Sequence, residues 1–206
     1  AARAGVDVLL VDKGNCLGGA AVNCLVSPFM PYSTVIDGKH VVLSAGIFSE
    51  IIRRMEERHA MVGERYFLEE ELKFVLNDMV LEAGVQVIFH ANVYDVCVEN
   101  RRITGLKAIA GSEKMTLAAD FYIDATGDGN VFYLAGCDYA LGRSSDGLCQ
   151  PMTTCFRVSN VDVELFKKER PDTICTGFTG TNLVIRNQFI FFLFIDQQNM
   201  LLSGIL

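Results

Sequence analysis

The residues best suited to chemistry form the run Asp-Ala-Thr-Gly-Asp-Gly at 124–129, which follows an apolar stretch at 118–123. A β-branched and aromatic segment that stops at small residues and a carboxylate is typical of a buried parallel strand whose end approaches a ligand closely. On this interpretation, residues 130–135 could begin a helix whose amide end faces a phosphate. The alternative is an ordinary turn from a strand to a helix. The predicted ligand-contacting residues are Ala125, Thr126, Gly127, Asp128 and Gly129.

A second carboxylate, Asp12, directly follows an apolar strand at 6–11. At the tip of the second strand of a dinucleotide-binding unit, such a carboxylate accepts hydrogen bonds from the hydroxyls of an adenosine ribose. Lys13 lies beside it, and the alternative for both residues is an exposed Asp-Lys-Gly turn. In these folds the loop G-x-G-x-x-G precedes the acid by about 20 residues, so we expect that loop to lie before Ala1.

Paired glycines, Gly18 and Gly19, follow the acid and would let backbone amides approach a pyrophosphate, although a plain flexible loop is equally compatible with them. The three histidines have no acidic or metal-binding partner at a useful spacing, and the seven cysteines contain no C-x-x-C pair. We therefore expect no metal site, and we expect reduced thiols in a cytoplasmic protein.

Charge and hydrophobicity exclude other classes of protein. The net charge of -7 argues against nucleic acid as a partner, because phosphate binding needs a basic face. The longest apolar run covers 189–195, which is far shorter than the roughly 20 residues that a membrane helix needs. That run is predicted to be a buried strand, and no membrane association is expected.

The periodicity of apolar residues predicts an α/β sheet with one crossover made of strands. A change in composition near Gly142 predicts two domains, 1–141 and 142–206. The helical patterns cover 41–61 and 69–83; the strand patterns cover 6–11, 85–89, 92–98, 103–110 and 115–123, and two further strands are predicted over 182–202 around a turn at 196–199.

Several of these segments together resemble FAD-dependent oxidoreductases. Residues 1–13 with Cys16-Leu17-Gly18-Gly19 are similar to the second strand and following loop of that family. The segments 83–87, 123–129 and 147–153 look like the flavoproteins that include heterodisulfide reductase A-like proteins. The resemblance implies a Rossmann-like FAD-binding domain of the glutathione-reductase type over 1–141, without its first strand and glycine loop, and part of a β-rich substrate domain over 142–206.

The resemblance also implies roles for individual residues. Asp12, which stands where a glutamate is more usual, would bind the adenosine ribose with Lys13 nearby, and Val93 would offer backbone contacts to adenine. The redox cysteine pair of glutathione-reductase-type enzymes is not matched, because Ala21 and Val26 occupy its positions. The remaining implied FAD contacts are Gly18 and Gly19 on the diphosphate and flavin side, and Thr126, Gly127 and Asp128 against the central part of the cofactor.

The function that this pattern favours is hydride or electron transfer through a bound FAD, with a small-molecule substrate and room for an electron-transfer partner. The flavin carries such chemistry itself, which agrees with the lack of an evident nucleophile or acid–base set. One alternative is a non-flavin NAD(P)-binding dehydrogenase, although no Tyr-x-x-x-Lys proton relay occurs. Another is an incomplete chain that binds FAD weakly and has no activity of its own. The pattern predicts no catalytic residue, substrate or oligomeric state.

Overall fold

The computed structural model describes residues 1–149, 152–158, 162, 165, 168, 189–195 and 200–204. Contacts divide the chain into two compact units. The first unit comprises Ala1–Gly19 and Glu70–Leu141, and the second comprises Ala20–Glu69 and Gly142–Leu206. The predicted division into 1–141 and 142–206 differs from this grouping in the placement of 20–69. The assignment of 1–141 to FAD binding and of 142–206 to a substrate domain stays a prediction.

The first unit contains a pair of parallel strands, the second of which follows a helix. Strand β1 (Leu9–Val11) pairs in parallel with β6 (Gln86–Ile88), and helix α3 (Glu69–Glu82) leads directly into β6. The spacing of Leu72, Val75 and Met79 places three buried side chains on one face of α3, as the helical pattern predicts. Parallel strands joined through a helix define an α/β arrangement, which agrees with the predicted class.

An antiparallel meander follows, as the alternating pattern predicts. Strands β7 (Ala91–Glu99), β8 (Arg102–Ala110) and β9 (Glu113–Leu117) form a sheet in the order β7-β8-β9. The hairpin between β7 and β8 turns at Asn100 and Arg101, whose φ angles of 50° and 62° match the twist of a two-residue hairpin loop.

The strand predicted over 115–123 is largely wrong. Strand β9 ends at Leu117, and Phe121 and Ile123 are 87% and 82% exposed. Within the described part of the chain, no strand lies beside 118–123 to pair with its backbone or to cover its side chains. Instead, the Ala119 amide donates a hydrogen bond to the Tyr122 hydroxyl at 2.8 Å. The run at 124–129 therefore follows an unpaired, exposed segment, and the short helix α4 (Asn130–Leu134) comes after it.

The second unit contains short antiparallel elements and one long helix. The helix predicted over 41–61 is shorter than expected, because the chain first forms a strand up to Val42 and then turns at Gly46 with a φ of 70°. The predicted loop at 14–33 contains a short helix, α1 (Gly19–Asn23). The other elements are β2 (Ser33–Ile36), β3 (Lys39–Val42), α2 (Ile47–Glu57), β4 (Met61–Val62), β5 (Tyr66–Phe67), β10 (Met152–Val158), β11 (Phe189–Ile195) and β12 (Met200–Gly204).

Strands β10, β11 and β12 form one antiparallel sheet, which confirms the predicted strand at 189–195. The turn predicted at 196–199 lies outside the described residues. Elsewhere in the unit, the Phe29 ring stacks on Phe67 at 4.2 Å and meets the edge of Phe48 at 5.2 Å. Burial of an aromatic ring such as Phe67 stabilises the fold by about 1.5–3 kcal/mol.

Among the residues that the structure describes, no helix is both long and apolar enough to cross a lipid bilayer.

Candidate functional site

Asp12 lies where the parallel strand pair meets the meander. Its backbone amide donates a hydrogen bond to the Ile88 carbonyl at 2.9 Å, and its own carbonyl accepts one from the Ala91 amide at 3.0 Å. The carboxylate oxygen Oδ1 accepts a hydrogen bond from the Gly14 amide at 2.6 Å. No group in the described part of the chain donates to the other oxygen, Oδ2, so half of the carboxylate is available to an external hydroxyl.

The neighbouring predicted residues lie on the following loop. Lys13 is exposed, and the Gly14 carbonyl accepts a hydrogen bond from the His90 amide at 2.9 Å, which holds the loop against the start of β7. Gly18 and Gly19 have φ angles of 110° and 51°, which favour glycine. A Cβ added to Gly19 would have nothing within 4 Å, so its requirement for glycine is conformational rather than one of space.

The run at 124–129 is organised by the Asp124 carboxylate. Oδ1 accepts hydrogen bonds from the Thr126 amide at 3.0 Å and the Thr126 hydroxyl at 2.7 Å. Oδ2 accepts hydrogen bonds from the backbone amides of Val131 at 2.9 Å and Phe132 at 3.0 Å, both in the first turn of α4. The Thr126 hydroxyl in turn accepts a hydrogen bond from the Asn130 amide at 2.8 Å. Asp124 is therefore turned towards its own helix rather than towards a ligand.

These contacts change the sequence-based interpretation of the helix start. The amides of Asn130, Val131 and Phe132 already donate hydrogen bonds to side chains. The first turn of α4 therefore does not present these amides to a phosphate. The amides of Gly127, Asp128 and Gly129 have no acceptor among the residues that the structure describes. Any close backbone contact to a ligand is therefore made by the turn itself and not by the helix.

The ionisation of Asp124 reflects the same contacts. Burial is the largest influence and raises the pKa of this carboxyl, but hydrogen bonds from Thr126, Phe132 and Val131 together outweigh it. The net effect lowers the pKa below its ordinary value, because each of these bonds favours the charged form. Asp124 is thus ionised at neutral pH.

Gly129 is the position in this run where the structure requires glycine. Its φ of 66° lies in the left-handed region. A Cβ built on it would lie 2.2 Å from the Phe132 ring. The backbone conformation disfavours a side chain here, and a Cβ would also require the Phe132 ring to move, which agrees with the small residue at the end of the run.

A cleft of about 300 Å³ lies between β7 and α4. Strand β7 contributes Val93, and a shift in register between Val93 and Asp95 accompanies the exposure of Tyr94 beside it. The ring of Tyr133, on α4, also meets the edge of Tyr139 at 5.5 Å. The residues that line the cleft are Asn92, Val93, Tyr94, Asn130, Tyr133 and Leu134.

The structure brings two of the predicted site segments close together, and the helix that follows the third lines the same cleft. Val93 and the helix that follows the run at 124–129 line one cleft, and Asp12 is bonded to Ala91, two residues before Val93. Sequence reasoning missed Asn92, Tyr94, Asn130, Tyr133 and Leu134 as cleft residues. A signal was available for Asn130, which directly follows the glycine run; the others carry an ordinary strand or helix pattern.

Neither metal clusters nor disulfides are found in the described part of the chain. No group of three or more His, Cys, Asp or Glu side chains is arranged to hold a metal ion there. The six cysteines described, Cys16, Cys24, Cys97, Cys137, Cys149 and Cys155, all carry free thiols.

The described elements define an α/β protein, and comparison with known proteins identifies its family. A sequence model described as FAD dependent oxidoreductase matches residues 1–189, so the chain belongs to this family, whose cofactor is FAD. The crystal structure of Thermovibrio ammonificans THI4 is similar, with 18% identity and a TM-score of 0.46 over 68% of this chain. The chain covers 58% of that structure, which is less than two thirds of its length. The search of curated proteins found no match.

Proposed function

We propose that this protein is an FAD-dependent oxidoreductase in which the first unit binds the adenosine half of the cofactor. One observation carries the proposal: a half-satisfied carboxylate is joined to the start of β7 by a backbone hydrogen bond, and the helix after the glycine run lines the same cleft as β7. The bound flavin would supply the hydride or electron transfer, and the chain would bind and orient it.

The cleft between β7 and α4 is the proposed adenine site. Its volume is at the lower end of the range for small-molecule pockets. Apolar walls from Val93 and Leu134 suit the faces of a purine, and the Val93 backbone is the proposed polar contact to its edge. The side-chain amides of Asn92 and Asn130 have no hydrogen-bond partner in the described chain, so both can donate to and accept from a ring nitrogen or amino group.

The remaining cofactor contacts are proposed from the same geometry. The open oxygen of Asp12 would accept a ribose hydroxyl, with Lys13 beside it. The positive φ angles of Gly18 and Gly19 would allow their backbone to approach the diphosphate. The turn formed by Ala125, Thr126, Gly127, Asp128 and Gly129 would lie along the central part of the cofactor, where its three amides without acceptors are available.

Finer aspects of the function rest on sequence resemblance. The resemblance to heterodisulfide reductase A-like flavoproteins supports an electron-transfer partner or a small-molecule substrate. Residues 142–206 are proposed to contribute to the substrate domain. No side chain of the chain is assigned as a catalytic acid, base or nucleophile, because the flavin would carry the reaction.

The test uses protein expressed from its complete reading frame and purified without added cofactor. We expect the absorbance bands of an oxidised flavin, release of FAD rather than FMN on denaturation, and bleaching of the bands by a reductant. A colourless preparation that takes up no added FAD would overturn the proposal. Binding of NAD(P)H by such a preparation would instead favour a non-flavin dehydrogenase.

A further inference from the structure

Asp124 and Thr126 are not among the residues that line the cleft. Together they accept hydrogen bonds from the amides of Asn130, Val131 and Phe132. A hydrogen bond from the Thr126 hydroxyl to the Asp124 carboxylate links the two side chains. We refer to this pair as the Asp124–Thr126 brace. The hydroxyl donates to Asp124 and accepts from Asn130, so both of its hydrogen-bonding directions are used.

Helix α4 depends on this brace for its position. It has five residues, which is far too short for a helix to be stable by itself in water. Val131, at 7% exposure, is its one buried side chain. The segment 118–123, before the turn, is largely exposed and pairs with no strand in the described chain, so strand hydrogen bonds do not hold that side. The brace is therefore the main set of contacts that fixes where the helix begins.

The same helix supplies half of the cleft. Asn130, Tyr133 and Leu134 line it from α4 and face Asn92, Val93 and Tyr94 on β7. Asn130 belongs to both systems, because its backbone amide is held by Thr126 while the residue itself lines the cleft. A shift of the first turn of α4 would consequently change the width of the cleft.

We infer that Asp124 and Thr126 are positioning residues for the cofactor, which hold α4 at the distance from β7 that the adenine ring needs. The inference rests on the proposed function, since it assigns adenine to this cleft. It differs from a purely structural role in its expected consequence. Most buried residues of this unit, such as Val75 on α3 and Ala108 on β8, lie on other elements. Loss of the brace should therefore reduce the free energy of FAD binding by more than it reduces the free energy of unfolding.

The experiment compares two substitutions that differ in one group. Thr126→Val keeps the shape of the side chain but removes the hydroxyl, whereas Thr126→Ser keeps the hydroxyl. We expect Thr126→Val to weaken FAD binding by about tenfold or more, because it leaves a charged acceptor short of a donor. Thr126→Ser should restore nearly all of the affinity. Thr116→Val, at an exposed position in β9, is the matched control and should leave the affinity unchanged.

Asp124→Asn tests the other half of the brace, with the exposed Asp120→Asn as its control. An asparagine amide nitrogen cannot accept the two helix amides, so we expect weaker FAD binding. The loss in the Asp124→Asn, Thr126→Val double variant should be smaller than the sum of the two single losses, because both substitutions disrupt one network. Additive losses would contradict a shared brace.

The outcomes separate this inference from the proposed function. If the unmodified protein binds FAD and both brace variants bind it equally well, the positioning role is wrong and the proposed function stands. If the unmodified protein takes up no FAD, both are wrong. Should a variant fail to fold, hydrogen exchange in the unmodified protein decides: amides 130–132 should exchange more slowly once FAD is bound, and an unchanged rate would overturn the inference.

Discussion

The carbonyl oxygen of Asp12 accepts a hydrogen bond from the amide of Ala91 at 3.0 Å, so the end of β1 is joined directly to the first residue of β7. Through this bond, residues separated by 79 positions in the sequence become neighbours at one corner of the first unit. The proposed ribose-binding carboxylate and the proposed adenine-contacting strand are thereby placed in a fixed relationship before any cofactor arrives.

Replacement of Asp12 by asparagine tests the proposed ribose contact. The side-chain oxygen of asparagine can still accept a hydrogen bond from the Gly14 amide. Its side-chain nitrogen is a donor and cannot accept a hydrogen bond from a ribose hydroxyl. We expect FAD affinity to fall by about 1 kcal/mol or more, a roughly fivefold loss, as measured by fluorescence titration. Asp7→Asn, at an exposed position before β1, should have no effect, and an equal loss in both variants would argue against a specific contact.

Asn130→Ala tests the assignment of adenine to the cleft. The substitution removes a side-chain amide that lines the cleft, while the backbone amide that Thr126 accepts is kept. Because the removed group would contact the adenosine half, we expect calorimetry to show weaker binding of both FAD and ADP. Binding of FMN, which has no adenine, should not change. Equal weakening of ADP and FMN binding would place the effect outside the proposed adenine site.

The lowered pKa of Asp124 predicts a loss of stability in acid. A carboxyl whose pKa is lower in the folded state than in the unfolded state stabilises the fold above its unfolded value of 3.8. That stabilisation is lost as the pH falls through the folded pKa. We therefore expect the difference in unfolding temperature between the unmodified protein and Asp124→Asn to shrink as the pH is lowered from about 6 to about 2.

Asp95 serves as the comparison for this pH dependence. The Lys107 ammonium, whose Nζ lies 2.7 Å from Asp95 Oδ2, and the Val96 amide lower the pKa of Asp95 as well. This pair lies at the surface of the meander, so raising the salt concentration should weaken its contribution. The contribution of Asp124 comes from hydrogen bonds to neutral groups and should respond less to salt. An identical response to salt in Asp124→Asn and Asp95→Asn would contradict this distinction.

Gly129→Ala is predicted to destabilise the fold more than the same substitution at Gly111. Gly129 and Gly111 have similar φ angles of 66° and 60°, so alanine costs about 1–2 kcal/mol of backbone strain at either position. At Gly129 the new Cβ would also overlap the Phe132 ring, whereas nothing lies within 4 Å at Gly111. Urea unfolding should therefore show a larger loss of unfolding free energy for Gly129→Ala, and equal losses would show that Phe132 moves away freely.

Part of the fold follows from local patterns in the sequence. Apolar residues three and four apart predict α3, because that spacing places them on one buried face. Alternation predicts β7 and β8, since successive side chains on a strand point to opposite faces. The position of Asp12 at the end of a strand could likewise be read from the residues, because a short apolar run ends at an acid and a glycine.

The limits of those patterns are clearest at 118–123. Its β-branched and aromatic residues have strand propensity, but a strand exists only where a neighbour supplies hydrogen bonds, and none does so in the described chain. Helix α2 shows a similar limit, because the left-handed Gly46 starts it later than its apolar pattern suggests.

By itself, the sequence determined the α/β class, the order of α3, β6 and the meander, the family and the short list of candidate residues, because these depend on periodicity and on residue type. Only the tertiary structure decided that Asp124 faces its own helix, that Asn130 and Tyr133 meet Val93 across a cleft, and that Asp12 keeps one carboxylate oxygen open. The physical reason is that several donors compete for each acceptor. Which donor forms the hydrogen bond depends on which groups the fold brings within about 3 Å of one another.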